Sequence, residues 1–173
     1  MILGLDISTS ITGFCVLDDS GDVAISGYID MRKEKDFFAK VQIAKEKIIE
    51  IIREHKIDEI WIEQSLQAFR PGMSSIKTLL TLAKFNGILS WVIWEETNKE
   101  PNYIGASTAR KTCGIKIPRG EKAKKVVVNF LLDTEPSFVV DYTKFGNIKQ
   151  HFFDVADAIV IAKAGHLCRQ TQK

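Results

Sequence analysis

The sequence predicts an α/β domain in which helices flank a mixed five-stranded sheet. Three short apolar runs separated by polar turns open the chain, and they predict an antiparallel three-strand meander. A strand–helix–strand unit follows, which predicts a strand parallel to the first one. The chain has 173 residues, 45% of them hydrophobic, with no linker or internal repeat. A single domain over residues 1–173 is therefore expected.

The meander occupies the first 28 residues. The first strand is predicted to end at Asp6, the second begins near Thr12, and the third follows the polar turn at residues 18–22 and runs through Tyr28. Because side chains alternate between the two faces of a strand, Gly4 and Asp6 share one face. Asp6 then lies at the carboxyl end of a strand, where open α/β sheets bind their ligands.

The parallel unit covers residues 35–63. Apolar side chains at helical spacing predict an amphipathic helix over residues 35–55. The strand at residues 59–63 ends in Glu63, as the first strand ends in Asp6. A glutamate in this position is often only a loop residue, but two acids at the ends of neighbouring parallel strands favour a functional site.

The next helix, over residues 74–96, is apolar on almost every side. Either Ser74 or Ser75 is expected to cap its N-terminus. Lys84 and Asn86 interrupt its apolar run, which is predicted to be too short and too polar to span a membrane. A helix without a polar face is buried on more than one side, so a subunit interface is expected; the alternative is cover by loops and the C-terminal helix.

Shorter elements follow in the second half of the chain. Between residues 134 and 150 the sequence is irregular and rich in turns. The predicted elements are a strand at 102–104, a helical turn at 107–111, a loop at 116–120, and a helix at 121–132 with Ala123, Val126, Val127 and Phe130 facing inward.

The segment from His151 to Ala162 has the apolar content of a buried helix but carries Asp154 and Asp157. Residues three apart are neighbours on one helix face. Two carboxylates on so apolar a helix are unfavourable unless a cation lies between them. A hard divalent ion is the candidate; the alternative is a solvated stripe on an amphipathic helix.

Charge is distributed unevenly along the chain. Residues 1–100 carry 12 Lys/Arg against 16 Asp/Glu, whereas residues 101–173 carry 12 against 6. A basic portion that contains the acidic pair indicates a polyanionic partner beside a metal site, unless these charges are ordinary solvated faces. The three cysteines, Cys15, Cys113 and Cys168, are scattered without ligand spacing, which is typical of reduced thiols in a cytoplasmic protein.

Four motifs, in order over nearly the whole chain, resemble those of a known family. They are Ile2-Leu-Gly-Leu-Asp6 with Thr12-Gly13, then Ile62-Glu63-Gln64, then Ser107-Thr-Ala-Arg-Lys111 with Gly120-Glu-Lys122-Ala, and last Asp154-Val-Ala-Asp157-Ala158. Together they resemble the RuvC family of Holliday-junction resolvases, within the RNase H-like (retroviral-integrase) superfamily. The resemblance implies an RNase H-like fold.

The resemblance also implies an activity. Asp6, Glu63, Asp154 and Asp157 would bind two Mg²⁺ or Mn²⁺ ions, and a four-way DNA junction would be cut to leave 5′-phosphate and 3′-hydroxyl ends. The residues themselves agree, because the sequence contains no convincing Cys/His or Ser/His arrangement for a protein nucleophile. Symmetric cutting needs two active sites, so a homodimer through the helix at residues 74–96 is expected.

Basic residues are expected to contact DNA. Lys111 and Lys122 match positions that the family uses near the DNA backbone, where both are expected to neutralise phosphates and steady charge in the transition state, Lys122 as a catalytic residue. For any single lysine the alternative is an ordinary solvated side chain. His151 is expected to lie in the second shell of the site or to contact the scissile phosphate; the alternative is a surface histidine. The same basic surface would be extended by Arg110, Lys116, Arg119, Lys124 and Lys125.

The chain departs from the family at one position. The family has an aromatic residue shortly after the strand-end glutamate, where it stacks on a base at the junction centre. Leu66 has that spacing here, whereas Phe69, beside Arg70, comes later. Phe69 and Arg70 are expected to contact DNA as a displaced wedge, unless the stack is missing. The departure fits a divergent or phage-type member, in the cytoplasm of a bacterium or phage-infected cell, that acts on several branched DNAs.

Two other functions remain open, and a third is disfavoured. A related RNase H-like nuclease that acts on RNA, hybrid or flap substrates would use the same four acids. A non-catalytic module that binds branched DNA would keep the fold. The segment Leu3-Gly-Leu-Asp6 also resembles the phosphate-binding hairpin of the sugar-kinase and actin class, but that architecture needs two such domains and the chain is too short for both.

Overall fold

The computed structural model describes residues 1–64 and 75–171, so the predicted DNA contacts Phe69 and Arg70 lie outside the described residues. The described elements follow the predicted order. They are β1 (Ile2–Asp6), β2 (Ile11–Leu17), β3 (Val23–Asp30), α1 (Phe37–His55), β4 (Glu59–Glu63), α2 (Ile76–Thr97), β5 (Asn102–Ile104), α3 (Ala106–Thr112), α4 (Ala123–Thr134) and α5 (His151–Thr171).

The strands form one five-stranded sheet in the order β3-β2-β1-β4-β5. Strand β2 pairs antiparallel with both β1 and β3, whereas β4 is parallel to β1 and β5 is parallel to β4. The meander joined to parallel strands is thus confirmed. Since β1 and β4 are neighbours that run in the same direction, Asp6 and Glu63 end at the same edge of the sheet.

Each face of the sheet has its own apolar core. Leu3 and Leu5 of β1 point to the face that α1 and α2 cover, where they join Ile48 and Leu89. The neighbouring Ile2 points to the opposite face and joins the core formed by α3, α4 and α5. The period-2 alternation along β1 therefore places Gly4 and Asp6 on the α5 side.

Helix α5 lies directly on β1 and β2 because those strands present glycine to it. A Cβ added to Gly4 would lie 2.6 Å from the carbonyl oxygen of Ala158, and one added to Gly13 would lie 2.1 Å from that of Asp154. Any side chain at either position would force the helix backbone away from the sheet. The glycines therefore set the close approach that brings the start of α5 to the carboxyl end of β1.

Helix α2 packs on the sheet with one face only. Its first turn is capped by Ser75, whose side chain accepts a hydrogen bond from the backbone N–H of Thr78. Phe85, Leu89 and Ile93 are buried, whereas the outer face exposes large apolar side chains. These are Ile76, Leu80, Trp91 and Trp94. Among the described residues, neither loops nor α5 cover this outer face, so that alternative is wrong for this part of the chain.

The same helix meets the length and composition criteria for a membrane span, contrary to the expectation from the sequence. Within its most apolar 18-residue window, 28% is buried. Core helices meet those criteria too, and the inner face of α2 lies in the core.

Helix α4 is rotated from the predicted orientation. Val127, Val128 and Leu131 are buried, whereas Val126 and Phe130 are only partly buried. The helix packs against α5 rather than facing the sheet directly, so its buried stripe is displaced by about one residue. After α4 the chain makes a turn closed by an isolated antiparallel bridge between Tyr142 and Ile148. Helix α5 then extends beyond the apolar segment His151–Ala162 to Thr171.

Candidate active site

Three of the four acids singled out in the sequence meet at one edge of the sheet. One carboxylate oxygen from each of Asp6, Glu63 and Asp157 lies within 4.8 Å of the others. Asp6 and Glu63 arrive from adjacent parallel strands, and Asp157 arrives from α5, which lies across them. The two strand ends and the helix therefore form a pocket whose ligand atoms are all carboxylate oxygens.

The pKa values of these acids show how poorly their charge is compensated. Burial raises the pKa of Asp6 well above its usual range, and the charges of Glu63 and Asp157 raise it further. Burial, followed by the charge of Asp157, raises the pKa of Glu63 to about 7. Burial also raises the pKa of Asp157, against the opposing charge of Lys124. A cluster of buried carboxylates with this deficit of positive charge fits a hard divalent cation.

Asp154 adjoins the cluster but is bound to a lysine. Its Oδ1 accepts a 2.9 Å hydrogen bond from Nζ of Lys124, and the same ammonium lies 3.4 Å from Oδ2 of Asp157. Burial opposes the charge of Lys124, but the bond to Asp154 and the neighbouring acids raise its pKa overall. Lys124 therefore neutralises part of the charge of both α5 aspartates.

The structure places Lys124, rather than Lys122, beside the acids. Lys122 is the N-cap residue of α4 and is exposed. Lys122 has extended backbone geometry before the helix begins and forms no ion pair with the α5 aspartates, whereas Lys124, in the first turn, contacts both of them. The resemblance assigned the transition-state role to Lys122, and the sequence treated Lys124 only as part of a basic surface.

Most of the remaining basic residues fall into two groups that line separate cavities. The positive charge of Arg110 lowers the pKa values of Glu63 and Asp157, so its guanidinium lies within electrostatic reach of these acids. Arg110, Lys111 and Lys116 line a cavity of about 240 Å³. Lys122 and Lys125 line a larger cleft of about 720 Å³ that Asp154 also lines. Arg119 is exposed in the turn before α4.

His151 is buried at the start of α5, so its description as a surface histidine is wrong. Its ring stacks on Tyr28 of β3, with centroids 4.0 Å apart and planes inclined by 21°. Burial lowers the pKa of His151, and the charges of Arg32 and Lys149 lower it further. The stack fixes the first turn of α5 against the edge strand, one turn before Asp154.

Asn86 supports the site in a way that the sequence did not reveal. This residue of α2 is buried, and its side-chain Nδ2 donates a hydrogen bond to the backbone carbonyl oxygen of Glu63, with 3.5 Å between the two atoms. Ser90 donates to the backbone carbonyl of Asn86, and the hydroxyl of Tyr103 donates to Ser90. The available signal was a lone amide within an apolar helix, which the sequence treated only as an interruption.

Comparisons with known proteins agree with this geometry. No family model matches the sequence. The chain is 28% identical over 173 residues to the crossover junction endodeoxyribonuclease RuvC of Aliarcobacter butzleri, covering 93% of this chain and 94% of the relative. It is 30% identical over 164 residues to the enzyme of the same name from Campylobacter hominis, with 93% and 92% covered.

Solved structures share the fold. The structure of Thermus thermophilus RuvC in complex with a Holliday junction substrate matches with a TM-score of 0.68 at 12% identity, over 98% of this chain and 94% of that one. The yeast mitochondrial Holliday junction resolvase Ydc2 matches with a TM-score of 0.60 at 14% identity, over 99% and 81%. With 30% identity to a curated relative across almost the full length of both, the chain belongs to the RuvC family.

Proposed function

We propose that this protein is a metal-dependent endonuclease that resolves four-way DNA junctions. The observation that carries the proposal is the pocket formed by Asp6, Glu63 and Asp157, with Asp154 beside it. The curated relatives bear the name crossover junction endodeoxyribonuclease. One structural neighbour was solved with a Holliday junction substrate, which supports branched DNA as the substrate class.

The four acids are proposed to hold two Mg²⁺ or Mn²⁺ ions. When bound, such ions supply an activated water and Lewis-acid stabilisation for in-line displacement at phosphorus. Asp6, Glu63 and Asp157 form the set whose oxygens lie together. Lys124 already pairs with Asp154 and Asp157, so an ion that uses Asp154 competes with this ammonium.

The two groups of basic residues are proposed to contact the DNA backbone. Arg110, Lys111 and Lys116 lie on the α3 side, and Lys122 and Lys125 lie on the α4 side. Phosphate contacts of this kind supply salt-dependent affinity without reading sequence. A strand that places a phosphate at the acids would have cations from both groups to contact. The roles proposed for Arg119 and His151, and for Phe69 and Arg70 outside the described residues, rest on the resemblance alone.

A second copy of the chain is the proposed partner for the outer face of α2. This face exposes Trp91 and Leu80, and beside it lies an apolar groove of about 690 Å³ to which Phe37 and Phe38 also contribute. Contiguous apolar surface of this kind is typical of interaction sites. Two symmetric cuts in one junction require two active sites held at a fixed separation, and a two-fold dimer supplies them.

The test compares synthetic substrates of different shape in the presence of Mg²⁺. The wild-type protein is expected to nick a four-way junction at symmetric positions, leaving 5′-phosphate ends, and to act more weakly on duplex, flap and RNA–DNA hybrid. Asp6→Asn should reduce cleavage more than about 100-fold, since even residues that only support metal ligands are worth roughly 10–100-fold. Junction binding should survive.

Asp133→Asn is the matched control, because Asp133 is an exposed acid on α4. It should cleave at the wild-type rate. Equal cleavage by Asp6→Asn would refute the metal site. Preference for hybrid or flap would instead favour the related RNase H-like nuclease, and junction binding without any cleavage would favour a binding module.

A further inference from the structure

A cleft of about 720 Å³ lies between α4 and the turn at residues 142–150, and Asp154 is among its lining residues. Its size is within the range of about 300–1,000 Å³ that is usual for small-ligand sites. Lys124 and Asp154, which pair beside the three clustered acids, both line it, so the cleft adjoins the proposed active site. A ligand in the cleft would therefore lie next to the part of the substrate that is bound at the acids.

The α4 wall of the cleft is basic. Lys122 and Lys125 line it, are exposed, and form no ion pair with any acid in the described part of the chain. Asp154 is the single acid among the described lining residues, and it is already paired with Lys124. The cleft therefore presents uncompensated positive charge to its contents, which favours an anion such as a phosphate.

The opposite wall is aromatic and amide-bearing rather than charged. Tyr142, Asn147 and Gln150 line it, and the Tyr142 side chain is 55% exposed. The turn that carries them is a built structure, with a Tyr142–Ile148 bridge and a 2.7 Å hydrogen bond from Thr143 N–H to the Asn147 carbonyl. An aromatic ring beside amide groups suits the flat face and polar edge of a nucleic-acid base.

We propose that this cleft binds an unpaired nucleotide of the substrate strand, adjacent to the phosphate at the acids. Lys122 and Lys125 contact its phosphate, Tyr142 stacks on its base, and the amides of Asn147 and Gln150 bond to the base edge. This inference rests on the proposed nuclease function and adds the form of the substrate. A paired base would keep its faces within the duplex stack and could not reach Tyr142.

The test uses a four-way junction with one unpaired 2-aminopurine nucleotide next to the mapped cut position, mixed with protein in EDTA so that no cleavage occurs. Stacking on Tyr142 should quench the 2-aminopurine fluorescence. Tyr142→Ala should abolish the quenching and weaken binding of this junction about tenfold, within the range for loss of one base–aromatic stack. Tyr142→Phe, which keeps the ring, should retain both the quenching and the affinity.

Phe145→Ala is the matched control, because Phe145 is a 78% exposed aromatic residue of the same turn that does not line the cleft. It should behave as the wild type. The proposal is overturned if the Tyr142→Ala variant quenches the fluorescence and binds the junction normally, or if Phe145→Ala loses as much quenching and affinity as Tyr142→Ala. It is also overturned if Tyr142→Ala weakens binding of a fully paired junction as much as binding of the junction with the unpaired nucleotide.

The two proposals fail in distinguishable ways. Normal junction cleavage with no effect of Tyr142→Ala on fluorescence overturns the nucleotide cleft alone. Quenching that depends on Tyr142, in a protein that cuts no junction, supports the cleft and overturns the nuclease function.

Discussion

Helices α2 and α5 have nearly the same length and are both mostly apolar, yet the fold uses them differently. α5 buries most of its residues against the sheet, α3 and α4, whereas α2 buries one face and exposes Trp91 and Leu80 on the other. The strands below α5 present Gly4 and Gly13 to it, but Gly87 of α2 has nothing within 4 Å of an added Cβ. Apolar content shows that a helix needs burial; close backbone contact decides which helix becomes central.

The two helices also differ in their ionic contacts. Lys163 of α5 pairs at 2.6 Å with Glu135, which is buried and also accepts a hydrogen bond from Ser137. Helix α2 pairs through Glu96 with the exposed Arg53 of α1. Exposed pairs contribute little to stability because water already solvates both charges. The helix that carries the aspartates is thus the one held by a partly buried charge pair.

The largest effect is expected when glycine is replaced by alanine beneath α5, at Gly13, and is compared with the same replacement within α2, at Gly87. Gly13→Ala should lower the free energy of unfolding by about 3 kcal/mol, because the new methyl group meets the backbone of α5 at Asp154. Gly87→Ala should raise it by about 0.5–1 kcal/mol, since alanine favours the helix and meets no neighbour. Urea denaturation of both variants measures this, and a similar change in both would contradict the comparison.

A smaller effect is expected at the outer face of α2. Trp91→Ala should weaken dimerisation about 30-fold, or about 2 kcal/mol, as for a residue that dominates an interface. Ile25→Ala, which truncates an exposed apolar residue of β3, is the control and should dimerise normally. Sedimentation over a range of concentrations measures the dissociation constant. A wild-type protein that stays monomeric throughout would rule out this interface.

The smallest effect concerns the pair between Glu135 and Lys163 and depends on pH. Burial opposes ionisation of Glu135, but the bonds from Lys163 and Ser137 outweigh it and lower its pKa below the ordinary 4.5. A carboxyl group whose pKa is lowered by folding stabilises the fold above pH 4.5, and that stability is lost as pH falls through its folded pKa. Glu135→Gln should therefore cost about 1.5 kcal/mol at pH 7.

The difference in unfolding free energy between Glu135→Gln and the wild type should shrink as pH falls below 4.5. Glu96→Gln, which removes the exposed pair of α2, should leave the unfolding free energy unchanged within error at both pH 3 and pH 7. Thermal unfolding across this pH range checks both expectations. A loss in Glu135→Gln that is the same at pH 3 and pH 7 would mean that the charge of Glu135 is not its cause.

Much of the fold could be predicted because it depends on local patterns. The meander, the parallel strand and the strand-end positions of Asp6 and Glu63 follow from period-2 alternation and turn residues, and the structure agrees. The orientation of α4 was missed because its contact is with α5, which no local pattern specifies. The supporting role of Asn86 was missed for the same reason, since its partner carbonyl belongs to Glu63.

The sequence by itself determined which residue types could form the site: two acids at strand ends and two on an apolar helix, within motifs that resemble the RuvC family. Only the tertiary structure decided that Asp6, Glu63 and Asp157 share one pocket while Asp154 pairs with Lys124. Spacing along a chain fixes neighbours within a strand or helix. Contacts between elements depend on how closely backbones approach, and here the glycines beneath α5 set that distance.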